Sequence, residues 1–102
     1  MTELPIQKAV SSGLHDYQVG EIAVDYCQGR VVLTLMDSRG ELCRLSIKGI
    51  RNFQLTRTEP WGPGIYVSVS DLIKKEDGLC QLQFQLNSGD EIIVDMAEEP
   101  VL

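Results

Sequence analysis

The chain has 102 residues, 43% of them hydrophobic, and a formal net charge of −6. This length fits a single domain, residues 1–102, with a modest core, and the hydrophobic fraction favours a folded protein over a disordered one. The acidic balance argues against nonspecific binding to nucleic acid or to an anionic membrane, because phosphates would be repelled. No apolar run approaches the roughly 18 residues of a membrane span, and the N-terminus does not resemble a secretory signal. We therefore expect a cytoplasmic protein.

Residues 1–17 are an N-terminal extension with room for a short helix near residues 4–12. From residue 18 onward the apolar side chains alternate with polar ones, which predicts half-buried β-strands. In the clearest run, Leu82 and Phe84 face one way and Gln81 and Gln83 the other. The six alternating runs are IAVDYC (22–27), RVVLTLMD (30–37), ELCRLSIKG (41–49), IYVSVS (65–70), LCQLQFQL (79–86) and EIIVDM (91–96).

Two of these runs allow detailed predictions about which side chains face the core. In the first, Ile22, Val24 and Tyr26 share one face. In the fourth, the alternation places Ile65, Val67 and Val69 on the apolar face and Tyr66, Ser68 and Ser70 on the polar face.

Short links containing glycine separate most of the runs, for example Gln28-Gly29 and Ser88-Gly89. Glycine allows the positive φ of hairpin turns, and links this short permit antiparallel pairing but exclude helical crossovers. The sequence therefore predicts an all-β fold, a single antiparallel meander of six or seven strands. Because each strand has one apolar face, the sheet must roll up, either into a compact sandwich or into a partly open barrel.

The three cysteines are Cys27, Cys43 and Cys80, an odd number without CxxC or zinc-site spacing. We expect them to be reduced, as in a cytosolic protein, with one disulfide as the alternative. Cys43 and Cys80 share the apolar faces of their strands with Leu45 and Leu82, so both are predicted to be buried.

The only histidine, His15, precedes Asp16. Adjacent residues on an extended chain point to opposite sides, so this pair is not expected to act as a general base with its orienting carboxylate. We expect Asp16 instead to bond nearby backbone amides at the entry to the first predicted strand. None of the phosphate-loop, nucleophile-elbow or metalloprotease motifs occurs. The prediction is a non-enzymatic protein without catalytic, cofactor-binding or metal-binding residues.

Charge is unevenly distributed along the chain. Residues 76–102 contain seven acidic residues and no basic one, whereas residues 39–57 contain five basic residues and one acidic one. These segments could pair their charges across neighbouring strands. Alternatively, the acidic segment steers a basic partner protein, with Asp90, Glu91 and Asp95 as candidate contact residues.

The only tryptophan, Trp61, lies in the PWGPG stretch, where prolines restrict the backbone and glycines relieve it. Trp61 is either a lid over the open end of the rolled sheet, against residues such as Val67 and Phe84, or an anchor for a partner. Tyr66, five positions later, is a further candidate contact residue.

The order of LHD (14–16), EPWGPGIYV (59–67) and QLNSGDEIIVDMAE (85–98) resembles a group of small bacterial β-rich proteins. Many members of that group resemble immunity proteins of bacterial toxin systems. Gly64 stands where the group often has serine, so a hydroxyl role is not expected there. The resemblance implies a protein that blocks a cognate toxin. A toxin that acts on nucleic acid would commonly be basic and suit an acidic blocker. The alternative is a structural or regulatory interaction module, including a homodimer formed through a strand edge.

Overall fold

The computed structural model describes residues 2–57, 66–75 and 78–97. Within them the chain forms eight strands and one 3₁₀ segment, Ile6–Ser12, which non-helical backbone angles at Val10 and Ser11 divide into two turns. This segment falls where a short helix was predicted. The strands are β1 (Thr2–Leu4), β2 (Gln18–Asp25), β3 (Arg30–Met36), β4 (Leu42–Ile47), β5 (Ile50–Leu55), β6 (Val67–Lys74), β7 (Cys80–Leu86) and β8 (Glu91–Met96).

The strands form two four-stranded sheets, not one meander. The first sheet has the order β1-β4-β3-β2 and the second has the order β5-β8-β7-β6. The chain leaves the first sheet between β4 and β5. In the second sheet the consecutive strands β5 and β6 lie at opposite edges, which is the strand order of a Greek key. The all-β prediction is confirmed, and the pairing is antiparallel as predicted except between β1 and β4. The prediction of a single meander of six or seven strands is wrong, and the two sheets do not form a closed barrel.

Both sheets contribute their inner faces to one hydrophobic core. In β3 and β7 the predicted alternation is confirmed, with Leu33 and Leu82 fully buried and their sequence neighbours at least partly exposed. Cys43 and Cys80 are buried as predicted, whereas Cys27 is exposed, and all three cysteines are unpaired. Each fully buried leucine contributes about 2 kcal/mol of transfer free energy, which makes this core the main stabilising feature.

Two strands were not predicted, and both are edge strands. The three-residue β1 pairs in parallel with β4, and β5 pairs with β8 as its single neighbour among the described strands. A three-residue strand is too short to show alternation. In β5 only Ile50 and Phe53 are partly buried, so its pattern has no period of two. The core-facing prediction for the first run was also wrong at two of its three residues. Val24 is 55% exposed, and Tyr26 lies beyond the end of β2 and is 93% exposed.

A β-bulge reverses the predicted faces of β6. The register shifts between Val67 and Val69, so that Val67 is buried while Val69 is 47% exposed. Ser70, predicted on the polar face, is only 1% exposed. A bulge places an extra residue on one strand, which exchanges inward and outward positions beyond it.

The buried Ser70 fastens the N-terminal residues to the β6 edge. Its hydroxyl donates to the Ala9 carbonyl at 2.8 Å and accepts from the Leu14 amide at 3.3 Å. Further along, the Asp16 amide donates to the Val67 carbonyl at 2.8 Å. These bonds satisfy polar groups of an edge strand that would otherwise be open.

Candidate functional site

The outer face of the second sheet, here called the acidic face, carries the exposed residues of the acidic C-terminal strands. The strand register shows which residues share this face. Three glutamines of β7 point outward, their partners on β6 and β8 point the same way, and so do the β5 residues paired with those of β8. The acidic face carries three carboxylates and, among these strand positions, neither lysine nor arginine. Its members are Asn52, Gln54, Val69, Asp71, Ile73, Gln81, Gln83, Gln85, Glu91, Ile93 and Asp95.

Asp95 lies at the centre of a hydrogen-bond network on this face, with a side chain that is 14% exposed. Its carboxylate accepts from Gln81 Nε2 at 2.8 Å, from Asn52 Nδ2 at 3.4 Å and from Lys75 Nζ at 3.5 Å. The hydrogen bond from Gln81 is the main reason that the pKa of Asp95 is lowered, with smaller contributions from Asn52 and Lys75. Asp95 is therefore a charged, largely covered carboxylate that links three strands and the residue following β6.

Asp90 is only 4% exposed, which removes it from the accessible surface. Its carboxylate accepts from the Ser88 hydroxyl at 2.8 Å and from the Thr56 hydroxyl at 3.4 Å. The Thr56 hydroxyl in turn accepts from the Glu91 amide at 2.8 Å. Asp90 thus ties the β7–β8 turn to the end of β5, and its contact with a partner stays a prediction.

Of the other candidate contact residues, Glu91 and Tyr66 are exposed. Glu91 lies on the outer face of the second sheet. Tyr66 lies at the corner where the two sheets meet, in an isolated bridge with Gln18. Trp61 lies outside the described residues, as do residues 58–65 around it, so its role as lid or anchor stays a prediction.

The ion pairs of the described residues do not join the basic segment to the acidic one. Arg39 pairs within its own turn, with Asp37 and Glu41, and Arg44 pairs with Glu3 of β1. The cation beside Asp95 is Lys75, from outside the basic segment. In the described part of the chain, no cation of residues 39–57 lies within ion-pair distance of a C-terminal carboxylate.

A cleft of about 450 Å³ opens at the corner between the sheets, lined by Asp16, Gln18, Asp37 and Tyr66 among others. The Asp37 carboxylate accepts from the Arg39 and Glu41 amides, each at 2.9 Å. The Glu41 amide is the main reason that the pKa of Asp37 is lowered, so this group is a fixed anion that organises the β3–β4 turn.

His15 and Asp16 do contact each other, contrary to the extended geometry expected of them. Asp16 has a positive φ of 70°, and its Oδ2 lies 3.3 Å from His15 Nδ1. The Asp16 contact with β6 is through its backbone amide rather than its carboxylate. Both side chains are more than half exposed, so water competes for this pair.

Two side chains near the corner, Tyr17 and Cys43, have a raised pKa. Burial is the main reason that the pKa of the Tyr17 hydroxyl and the pKa of the Cys43 thiol are raised. Because the thiolate is the reactive form of cysteine, Cys43 is a poor nucleophile. Among the described residues, no cluster of three or more His, Cys, Asp or Glu side chains is arranged to hold a metal ion.

Sequence reasoning missed the exposed apolar residues of the acidic face. Val69 and Ile73 are 47% and 39% exposed and lie beside the glutamines of β7. The alternation had assigned Val69 to the core, and only the bulge before it reverses that assignment.

The chain gives no significant match to protein-family models, to curated proteins or to solved structures. The resemblance to immunity proteins therefore stays a prediction. Within the described residues, no helix has the length and apolar character needed to cross a bilayer.

Proposed function

We propose that this chain is a non-enzymatic protein-binding domain of the immunity type, which blocks a basic, nucleic-acid-acting toxin through the outer face of its second sheet. The observation that carries the proposal is the charge of this face, which has three carboxylates on β6 and β8 and, in the described structure, a cation beside Asp95 alone, Lys75. A toxin that binds phosphate presents lysine and arginine, and the acidic face is complementary to such a surface.

The mixture of polar and apolar side chains on this face also supports protein contact. Gln81, Gln83 and Gln85 offer amide donors and acceptors in a row along β7, and Gln83 donates to Gln81. Val69 and Ile73 add exposed apolar area beside them. Protein interfaces combine such apolar contacts with a polar, hydrogen-bonding surround. Carboxylates at the margin raise the association rate more than they raise the affinity.

The test compares two variants with the same change in net charge. Ile73→Lys with Glu91→Lys places positive charge on the acidic face, and Leu42→Lys with Glu21→Lys places it on the first sheet. Wild-type and variant proteins serve as bait in the native cells, captured proteins are identified by mass spectrometry, and association rates are measured at several salt concentrations. We expect a basic protein to bind the wild type and the first-sheet variant but not the acidic-face variant.

The toxin assignment has its own readout. Co-expression of the domain should restore growth to cells that express the captured partner, and the acidic-face variant should not restore it. The acidic face is not the binding surface if the captured partner binds the acidic-face variant as fast as the wild type at all salt concentrations. A partner that binds through this face but is harmless to cells would support the alternative, a regulatory interaction module.

A further inference from the structure

The strand β5 is an edge of the second sheet. Within residues 2–57, 66–75 and 78–97, the only strand that pairs with it is β8. At the opposite edge, β6 is covered by the N-terminal residues through the hydrogen bonds of Ser70 and Asp16. Among the described residues, the outer side of β5 is bonded only at its start, where the Ile50 amide donates to the Gly29 carbonyl of the β2–β3 hairpin. An open edge strand offers unpaired backbone donors and acceptors to another extended chain.

An apolar groove of about 310 Å³ runs beside the start of β5, between this strand and the β2–β3 hairpin. The Ile50 amide donates to the Gly29 carbonyl at 3.0 Å, which fixes the hairpin against the strand. The groove is lined by the apolar side chains of Val24, Val31, Ile50 and Phe53, and by Tyr26. Tyr26 is 93% exposed and Val24 is 55% exposed, so the groove carries apolar and aromatic surface that the core does not use.

Cations surround this groove and edge. Arg30 and Arg51 line the groove, and Lys48 and Arg57 lie just before and just after β5. None of these four has a carboxylate within 4.0 Å among the described residues, whereas Arg39, Arg44 and Lys75 are all paired. Asp25 also lines the groove, but its carboxylate accepts from the Gln28 amide at 3.1 Å. The edge is therefore a basic region on a protein of net charge −6.

We propose that β5 and its groove bind an acidic peptide segment of a partner protein in extended conformation, added to the sheet as a further strand. Main-chain hydrogen bonds to the β5 edge would supply affinity, and alternate side chains would enter the groove. Carboxylates of the peptide would pair with Arg30 and Arg51, whose guanidinium groups match carboxylate geometry. This site borders the proposed toxin-binding face at Asn52, which belongs to both, but it carries the opposite sign of charge.

The test is a selection of displayed random peptides of about seven residues, long enough to span the edge of β5. It is run in parallel on wild-type protein and on the variants Arg51→Glu and Lys8→Glu. Lys8 is an exposed cation of the 3₁₀ segment without an ion pair in the described structure, so its variant carries the same charge change away from β5. We expect the wild type and Lys8→Glu to enrich acidic peptides with alternating apolar residues, and Arg51→Glu to bind them about tenfold more weakly.

A selected peptide with N-methyl groups on alternate amides separates strand addition from charge attraction alone. It keeps its side chains but cannot complete a β-ladder, so we expect its binding to be lost. Chemical shifts of the Ile50–Leu55 amides should move with the unmodified peptide. The proposal is overturned if no acidic peptides are enriched, if Lys8→Glu weakens binding as much as Arg51→Glu, or if the N-methylated peptide binds equally well. In each of those outcomes the cations would serve only to keep the β5 edge from pairing.

Discussion

The two edge strands of the second sheet, β5 and β6, are treated in opposite ways. The β6 edge is covered by the N-terminal residues, which contribute the fully buried Leu14 and backbone bonds to Ser70 and Val67. In the described structure the β5 edge is bonded only at Ile50, by the Gly29 carbonyl of the β2–β3 hairpin, and it is surrounded by cations without an ion pair. An open edge invites association with other chains, and positive charge is one way in which proteins control that association. The difference indicates that β6 belongs to the stable core and that β5 is the edge available for contact.

The largest expected effect on stability comes from leucine-to-alanine substitution at the β6 edge, compared with the same substitution at the β5 edge. Leu14 is 0% exposed and Leu55, at the end of β5, is 47% exposed. Leu14→Ala should lower the free energy of unfolding by about 3 kcal/mol, because it leaves a cavity under the β6 edge. Leu55→Ala should lower it by less than about 1 kcal/mol, since little apolar area is lost. Urea denaturation of both variants measures the two values. Equal losses would contradict the assignment of β6 as the structural edge.

The next effect tests the hydroxyl that fastens the N-terminal residues. Ser70→Ala removes the donor to the Ala9 carbonyl and the acceptor of the Leu14 amide, and leaves both groups buried. We expect a loss of about 2 kcal/mol, because unsatisfied buried polar groups carry their full desolvation cost. Ser68→Ala, two positions earlier on the same strand, is the control and should change stability by less than about 0.5 kcal/mol. If the two variants are equally stable, Ser70 does not hold the edge closed.

The sequence predicted the central strands better than the edges, for a physical reason. Strands such as β3 and β7 have one face in the core, so selection for burial imposes a period of two on their side chains. The edge strand β5 has only two partly buried side chains, and β6 changes its faces at a bulge. Neither a bulge nor sheet membership leaves a local pattern, because both depend on contacts between distant residues.

The candidate site, like the fold, was predictable from the sequence only in part. The acidic character of the C-terminal strands was visible in the sequence, and Glu91 lies on the exposed face as charge alone suggested. Charge does not distinguish a surface carboxylate from a buried one. Asp90, adjacent to Glu91 in sequence, turns inward to bond the Ser88 and Thr56 hydroxyls. The basic groove at β5 was not foreseen, because it forms only when the β2–β3 hairpin meets a strand that the sequence did not reveal.

A smaller effect concerns the side chains that hold β5 to its one neighbour. Asp95 of β8 accepts from Asn52 of β5, and its pKa is lowered chiefly by the hydrogen bond from Gln81. A carboxylate whose pKa is lower in the folded state stabilises the fold above the unfolded pKa of about 4, and the contribution is lost as pH falls through the folded value. Asp95→Asn should therefore lower the free energy of unfolding by about 1 kcal/mol at neutral pH.

The difference between wild type and Asp95→Asn should shrink as the pH is lowered from about 5 toward 2, which denaturant titrations at several pH values measure. Glu91→Gln is the control, since it removes the same charge from an exposed position of the same strand and should change neutral stability by less than about 0.5 kcal/mol. A difference for Asp95→Asn that stays constant over this range would show that its charge is not what holds β5 in place.

The smallest effect on stability is expected at Cys27, in the hairpin that faces the start of β5. Cys27 is exposed, whereas Cys43 and Cys80 are buried in the core. A disulfide reagent such as Ellman's reagent should label one thiol rapidly in the native protein and all three in denaturant. Cys27→Ser should abolish the rapid reaction and change stability by less than about 0.5 kcal/mol. Burial raises the pKa of Cys43 and so lowers its thiolate fraction, which slows its reaction even where the reagent reaches it. A second rapid thiol in the native Cys27→Ser protein would mean that the core opens without global unfolding. That result would contradict a closed core on the β6 side with accessible residues confined to the β5 side.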